Sequence, residues 1–401
     1  MTLLLIIYRS LRQHALSTVV TAASIALAVG LLMTVWMVRD QSQEAFLTTS
    51  KGFDAVLGAR GSQLQLVLNA IFHLEASPGN LAWSDYEAIK HHPAVKAAIP
   101  IAVGDNLRGF RLVGTIPEMF TITYPEGRRF RLEPGGRSFD PSAKEAVLGS
   151  FVADKLGLKV GDTFHPFHGL VYDPKGDQHP DLYTVVGIFQ PTNTPDDKVV
   201  WIPLHGLQTM TGHDPKTATD VSAVLVQLRS SFAGVMLGIT YNRQGNRLTL
   251  AYPVPNIISD LFSRISWFDQ VLALVAYLVA VVAAGSVLAS IYNSMSARRR
   301  DLAILRALGA KRRTIFGAIV AEAALIGLIG SLGGFLFYFG LLSAVAEIIR
   351  AQTGVVLVLT KWHPILWECP VGMIALCALG GILPAFKAYR TPVAETLAPT
   401  S

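Results

Sequence analysis

Four long apolar runs limit what this 401-residue chain can become. A bilayer-crossing helix needs about 20 mostly apolar residues. Ala15–Val38 and Val271–Ile291 meet that length with no charge at all. Ile315–Val345 and Leu366–Phe386 meet it with one acid each, Glu322 and Glu368. Ile257–Gln270 is an amphipathic lead-in to the second run, and the third is long enough to tilt or to project beyond the bilayer. The first run exceeds a signal-peptide core, and Met33-Thr34-Val35-Trp36-Met37 is a poor cleavage context, so it reads as an uncleaved anchor. Composition agrees: 51% of residues are hydrophobic and 15% charged, where a soluble domain carries about a quarter charged. Disorder is excluded by the apolar content. A periodic rod is excluded because 34 Gly and 21 Pro follow no repeat. A disulfide scaffold is excluded by having two cysteines. Cys369 and Cys377 share one apolar run eight residues apart, which a helix spaces by roughly 12 Å, too far to bridge.

The net charge of +6 is uneven. Met1–His14, Ser294–Arg313 and Lys387–Ser401 together hold eleven Lys/Arg against two acids, Asp301 and Glu395. Basic residues flanking apolar runs mark cytoplasmic membrane ends, not a nucleic-acid surface. All three segments then lie on one side. Four spans put both termini inside and more than 200 residues between the first and second spans outside. The fold class is therefore membrane α-helical, with four transmembrane helices and a large α+β extracytoplasmic domain between helices 1 and 2.

The expected organisation is 1–43 as N-terminal end and first helix, 44–256 as the outside domain, and 257–401 as stem, helices 2–4, coupling segment 294–313 and tail. Within the outside domain, 44–120 and 211–256 read as a porter-like part and 121–210 as a small β-rich subdomain, with the Gly/Pro/Arg-rich Tyr124–Ser142 at the boundary. Runs rich in Val, Ile and aromatics predict strands at Asp54–Leu57, Val95–Val103, Leu107–Val113, Ala146–Leu148, Tyr183–Phe189, Val199–Ile202 and Val221–Leu228. Helices are expected at Asp85–His91 with Ser84 as N-cap, at Phe151–Leu156 and at Phe232–Arg243.

Eight of ten histidines fall between His73 and His213. His165 and His168 precede Asp173, Asp177, His179 and Asp181. Imidazole and carboxylate suit zinc, which makes His165, His168 and His179 weak metal candidates. The spacing matches no closed structural site, so a solvated loop remains the competing reading. Gly327, Gly330, Gly333 and Gly334 in the third span include a G-x-x-x-G pair that lets helices approach closely, within the chain or between two copies. Glu322 in the same span reads either as an intramembrane functional group or as an acid reaching the cytoplasmic interface or a basic neighbour. There is no G-x-x-x-x-G-K-[ST] loop to cradle ATP and no G-x-S-x-G elbow. No catalytic residue is expected.

One cytoplasmic stretch carries more. Arg298-Arg299-Arg300-Asp301-Leu302-Ala303-Ile304-Leu305-Arg306-Ala307-Leu308-Gly309-Ala310-Lys311 places Leu302, Leu305 and Leu308 on one helical face, with Ile304 one step of four before Leu308, and ends at a glycine suited to a sharp turn. This stretch and Leu383–Leu397 resemble the cytoplasmic signature and ending of MacB/FtsX-type (type VII) ABC transporter permeases. Glu145–Gly149, Leu156–Asp162 and Val185–Ile188 are similar to that family's small β-rich subdomain. Asp301 stands where the family has Glu. The chain starts at the first span, so the resemblance is to the FtsX and Lol arrangement without a fused ATPase domain. It implies a non-catalytic subunit that passes ATPase-driven motion to an outside domain, for export or extraction of a lipoprotein, peptide or amphiphile. The alternatives are an FtsX-like lever activating an outside enzyme and a zinc transport or binding module. It further implies that Arg299, Arg300, Asp301, Leu302, Ile304, Leu305, Arg306, Leu308, Gly309, Ala310 and Lys311 couple to the ATPase. The implied partners are a cytoplasmic ABC ATPase dimer, a second copy of the chain and the bilayer of a bacterial inner membrane, with room for a periplasmic or outer-membrane partner and none for nucleic acid. No cofactor is expected on this chain; ATP and Mg are expected on the partner ATPase.

Overall fold

The computed structural model describes residues 3–123, 130–213, 219–297, 303–304, 306–307 and 309–390. The helices are α1 (Leu3–Gln13), α2 (Ala15–Thr49), α3 (Gln63–Ala70), α4 (Trp83–Lys90), α5 (Ser150–Leu156), α6 (Leu204–Gln208), α7 (Ser231–Tyr241), α8 (Val254–Ala297), α9 (Arg312–Thr353) and α10 (Ile365–Arg390). The strands are β1 (Ala55–Ala59), β2 (Val95–Leu107), β3 (Phe110–Thr115), β4 (Glu145–Leu148), β5 (Thr163–Phe164), β6 (Phe167–His168), β7 (Tyr183–Ile188), β8 (Val200–Pro203), β9 (Ala223–Leu228) and β10 (Leu248–Ala251). Among the described residues, α2, α8, α9 and α10 are long and apolar enough to cross a membrane. The sheet-rich domain lies between the first two of them in the chain. Two compact units result: Met1–Gln41, Ser266–Ala346 and Val358–Ser401 form one, and Ser42–Ile265 with Glu347–Leu357 the other.

In the helical unit, α9 packs against both α2 and α10. A Cβ on Gly330 would lie 2.6 Å from the Ile25 side chain and 3.0 Å from the Ala22 carbonyl oxygen. On Gly334 it would lie 2.8 Å from Val29, and on Gly327 3.0 Å from Cys377. The glycine stripe therefore seats neighbouring helices of the same chain, the closer approach for which small residues serve in lipid. Cys369 and Cys377 are free thiols. The Ser10 hydroxyl donates to the Glu322 carboxylate, which gives that acid a polar partner.

In the sheet unit, the strand order is β10-β1-β9-β2-β3-β8-β4-β7-β5, with β6 on β2. Strands from the expected porter-like part and from the expected β-rich subdomain thus join one sheet, through the parallel β3–β8 pair. Both faces are covered. Leu57, Leu112, Leu148, Ile202 and Val224 enter one core, while Val56, Val113, Val147, Trp201 and Leu225 enter the other. Burial on two sides is why these strands read as continuous apolar runs.

The compact sheet unit takes in the start of α8, to Ile265. Val254 and Ile258, in the first turns of α8, are fully buried in the same core as Phe53 and Leu66. The stretch between the third and fourth apolar runs is divided between the units, with Glu347–Leu357 grouped with the sheet and Val358 onward with the helices. Lys198 donates to the carbonyls of Ala351 (2.6 Å) and Gln352 (2.8 Å) in the last turn of α9, and Gly354 caps that helix at φ 79°. Near α4, the expected cap at Ser84 is displaced. The helix starts at Trp83, and the Asp85 carboxylate accepts the Ala82 N–H at 3.1 Å. Leu107 belongs to β2, not to the next strand. Arg108 (φ 49°) and Gly109 (φ 92°) form a two-residue hairpin loop between Leu107 and Phe110. β5, β6, β10, α3 and α6 had no counterpart among the expected elements.

Candidate metal centre and coupling segment

Asp105 is an acid inside a buried strand. The β2–β3 register shifts between Val103 and Asn106, an irregularity of the kind that re-aims a side chain. Asp105 is directly opposite His168 in the β2–β6 pair. Its carboxylate is fully buried, and three imidazoles surround it. Asp105 Oδ1 lies 3.3 Å from His179 Nε2 and 3.4 Å from His168 Nδ1; Oδ2 lies 3.2 Å from His213 Nε2. The ring centroids of His168, His179 and His213 are 5.1–5.5 Å apart. One donor atom from each of the four residues falls within 4.8 Å of every other.

The surroundings fix two of the rings. His179 Nδ1 is 2.7 Å from the Thr211 carbonyl oxygen, and His213 Nδ1 is 3.0 Å from that of Leu207. A carbonyl only accepts, so each Nδ1 carries the proton and each Nε2 faces Asp105. The loop bearing His179 is pinned by its own N–H to Pro166 (2.9 Å). It is pinned again where the Asp181 carboxylate accepts the Thr211 N–H at 2.9 Å and pairs with Lys144. Asn106 donates to the Gly169 carbonyl at 2.7 Å, which holds the turn that follows His168. Burial pushes the Asp105 carboxyl up, but His213 and His179 together outweigh it and hold the acid below its usual range. In return, the Asp105 carboxylate raises His213 above the ordinary imidazole value, against the effect of burial.

Of the three histidines singled out in the sequence, the structure brings His168 and His179 together and leaves His165 out. His165 Nδ1 is instead 3.0 Å from the Asp181 carbonyl. His213 and Asp105 were missed. Asp105 lies 74 residues before His179, so no local spacing links them. Asp105 falls in Gly104-Asp105-Asn106, between two expected strands, where an acid reads as a turn residue and gives no signal of a buried site.

Of the coupling residues, Arg299, Arg300, Asp301, Leu302, Leu305 and Leu308 lie outside the described residues. Ile304 and Arg306 are helical, with Ile304 exposed. Gly309 adopts φ 97°, and its N–H meets the Arg306 carbonyl at 3.1 Å, which ends the turn. Ala310 and Lys311 follow before α9 opens at Arg312.

Comparison with known proteins covers most of the chain. The MacB-like periplasmic core domain family model matches residues 18–233, and the FtsX-like permease C-terminal model matches residues 273–393. An uncharacterized ABC transporter permease of Bacillus subtilis (strain 168), YvrN, is 22% identical over 97% of both chains. The lipoprotein-releasing system transmembrane protein LolC of Neisseria meningitidis serogroup B is 23% identical over 60% of this chain and 58% of its own. Among solved structures, the periplasmic region of MacB from Actinobacillus actinomycetemcomitans covers 53% of this chain and 94% of that one, at 14% identity and a TM-score of 0.35.

Proposed function

The chain belongs to the MacB/FtsX-type ABC transporter permeases, and on that premise we propose that it relays the motion of a separate ATPase across the membrane to its outside domain. ATP and Mg bind the partner ATPase dimer in the cytoplasm. That dimer moves the 298–313 segment, and two copies of this chain respond together. The basic ends at Arg9/Arg12 and Lys387/Arg390 favour cytoplasmic termini in a bacterial inner membrane, with residues 44–256 outside. The substrate class is a lipoprotein, peptide or other amphiphile.

The observation that carries this reading is the form of the two helices that enclose the domain in the chain. α2 has 35 residues and α8 has 44, each unbroken and well beyond the about 20 that a bilayer requires. A continuous helix transmits displacement along its axis where a jointed one would absorb it. The spans are poor in ionisable residues, which favours relaying motion over lining an aqueous path.

The test is purification of the full chain with its native ATPase, followed by reconstitution. The complex hydrolyses ATP, hydrolysis rises with the cognate cargo, and the chain alone hydrolyses none. A stable complex with a cell-wall hydrolase and no cargo stimulation would replace export with enzyme activation.

A further inference from the structure

We propose that Asp105, His168, His179 and His213 form a binding site for one zinc-class divalent transition-metal ion. The inference stands apart from the transport reading and concerns only the sheet unit.

The argument begins with protons. His179 and His213 spend Nδ1–H on backbone carbonyls. In the neutral rings, each Nε2 is then a bare lone pair, and both lone pairs face carboxylate oxygens 3.2–3.3 Å away. Acceptor against acceptor in a buried pocket is unfavourable. Asp105 Oδ2 makes this concrete: it is buried and, among the described residues, has no settled donor, with His213 Nε2 3.2 Å away. Two solutions exist. A proton on His213 alone satisfies Oδ2 but leaves the His179 lone pair against Oδ1, and protonating both rings crowds imidazolium charges, at centroid spacings of 5.1–5.5 Å, around a single carboxylate. A single divalent cation instead takes both lone pairs, the third imidazole and the carboxylate, and leaves every ring neutral.

Geometry favours the cation. Zinc binds imidazole and carboxylate at about 2.0–2.1 Å, so a tetrahedral site has edges of about 3.3 Å between donors. His179 Nε2 and His168 Nδ1 lie 3.3 and 3.4 Å from Oδ1, which matches those edges, and His213 Nε2 lies 3.2 Å from Oδ2 of the same carboxylate. All four donor atoms lie within 4.8 Å of one another, and the wider pairs draw in when an ion binds. The Nδ1–H···O=C contacts of His179 and His213 are the outer-shell bonds that orient metal-bound histidines. Three imidazoles with one carboxylate select zinc and its neighbours over calcium or magnesium, which prefer oxygen donors. Four protein donors fill a tetrahedral shell, so the site holds an ion and leaves no open position for hydrolytic chemistry. The donors come from β2, β6, the loop before β7 and the turn after α6, so an ion joins four segments distant in sequence. His168, with a side chain 56% exposed, forms the mouth through which an ion enters.

The experiment uses the purified full chain in detergent, stripped with a chelator. It is titrated with Co2+ while the ligand-field absorption is followed, then challenged with Zn2+, and bound zinc per chain is measured. The expected result is the intense visible absorption of tetrahedral Co2+, displacement by one Zn2+ per chain, and no displacement by Ca2+ or Mg2+. His168→Ala, at an exposed position that the fold does not need, weakens affinity by at least the roughly tenfold to hundredfold that loss of an outer-shell partner brings. His179→Ala with His213→Ala removes binding, and His165→Ala binds as the unaltered chain does. If the double variant does not fold, His168→Ala decides. Absence of stoichiometric zinc in the unaltered chain, an octahedral Co2+ spectrum, or full affinity in His168→Ala would each overturn the proposal.

Discussion

Gly330 of α9 and Ile25 of α2 stand so close that a single added methyl group has no room: its carbon would sit 2.6 Å from the Ile25 Cβ. The neighbouring contact is as tight, with Gly30 of α2 set against Phe337 at 2.6 Å. Two helices of one chain thus interlock through reciprocal glycines.

Gly330→Ala is therefore expected to destabilise the helical unit by about 1–3 kcal/mol, the usual cost of overpacking. Gly340→Ala on the same helix meets nothing within 4 Å and should stay within about 0.5 kcal/mol of the parent. Thermal unfolding of both variants in nanodiscs separates tight packing from a general intolerance of substitution in α9.

Asp197 organises the turn at 192–198. Its buried carboxylate accepts the N–H groups of Thr192 and Asn193, each at 2.9 Å, and the Thr192 hydroxyl at 2.8 Å. Asp197→Ala strands these donors and should cost about 3 kcal/mol. Because Lys198 in the same turn holds the end of α9, the loss should also raise hydrogen exchange at Arg350–Gly354.

His73 gives a pH dependence. Burial holds its imidazole below the ordinary 6.5, outweighing the nearby Asp196 carboxylate at 3.3 Å. The unfolded chain binds more protons in the window beneath 6.5, so stability should fall as pH drops through that window and be fully present above it. His73→Asn suits the local φ of 55° and cannot titrate. Urea midpoints between about pH 7.5 and 5.5 should decline less steeply in this variant than in the parent.

Leu305→Ala with Leu308→Ala should reduce the ATPase recovered with the chain while leaving membrane insertion unchanged, since apolar anchors at helical spacing dock a helix into a partner groove. Quantitative co-purification from native membranes, beside a membrane-fraction control, measures both. Recovery equal to the parent would place the docking surface elsewhere.

The sequence discloses the spans because lipid demands an unambiguous apolar length. It hides the join between α8 and the sheet, since Val254 and Ile258 look like any apolar residues until the core that buries them exists. The Arg108-Gly109 loop is a weaker hairpin signal than Asn-Gly, which is why Leu107 reads as the start of the next strand. β10 spans only four residues and draws its definition from pairing with β1 across nearly the whole domain. Half of the metal centre is visible locally as His168 and His179. The other half, Asp105 and His213, is brought in by a bulged strand and by the turn after α6, which no spacing rule reaches.

The central claim is that ATP consumed by a partner moves this chain's outside domain. The direct measurement is the distance between spin labels at exposed Phe232 in two copies, in a background lacking Cys369 and Cys377, reconstituted with the ATPase. The account predicts that trapping the ATPase with nucleotide shifts the distance distribution, and that Leu305→Ala/Leu308→Ala abolishes the shift. An unchanged distribution while the same complex turns over ATP would contradict it.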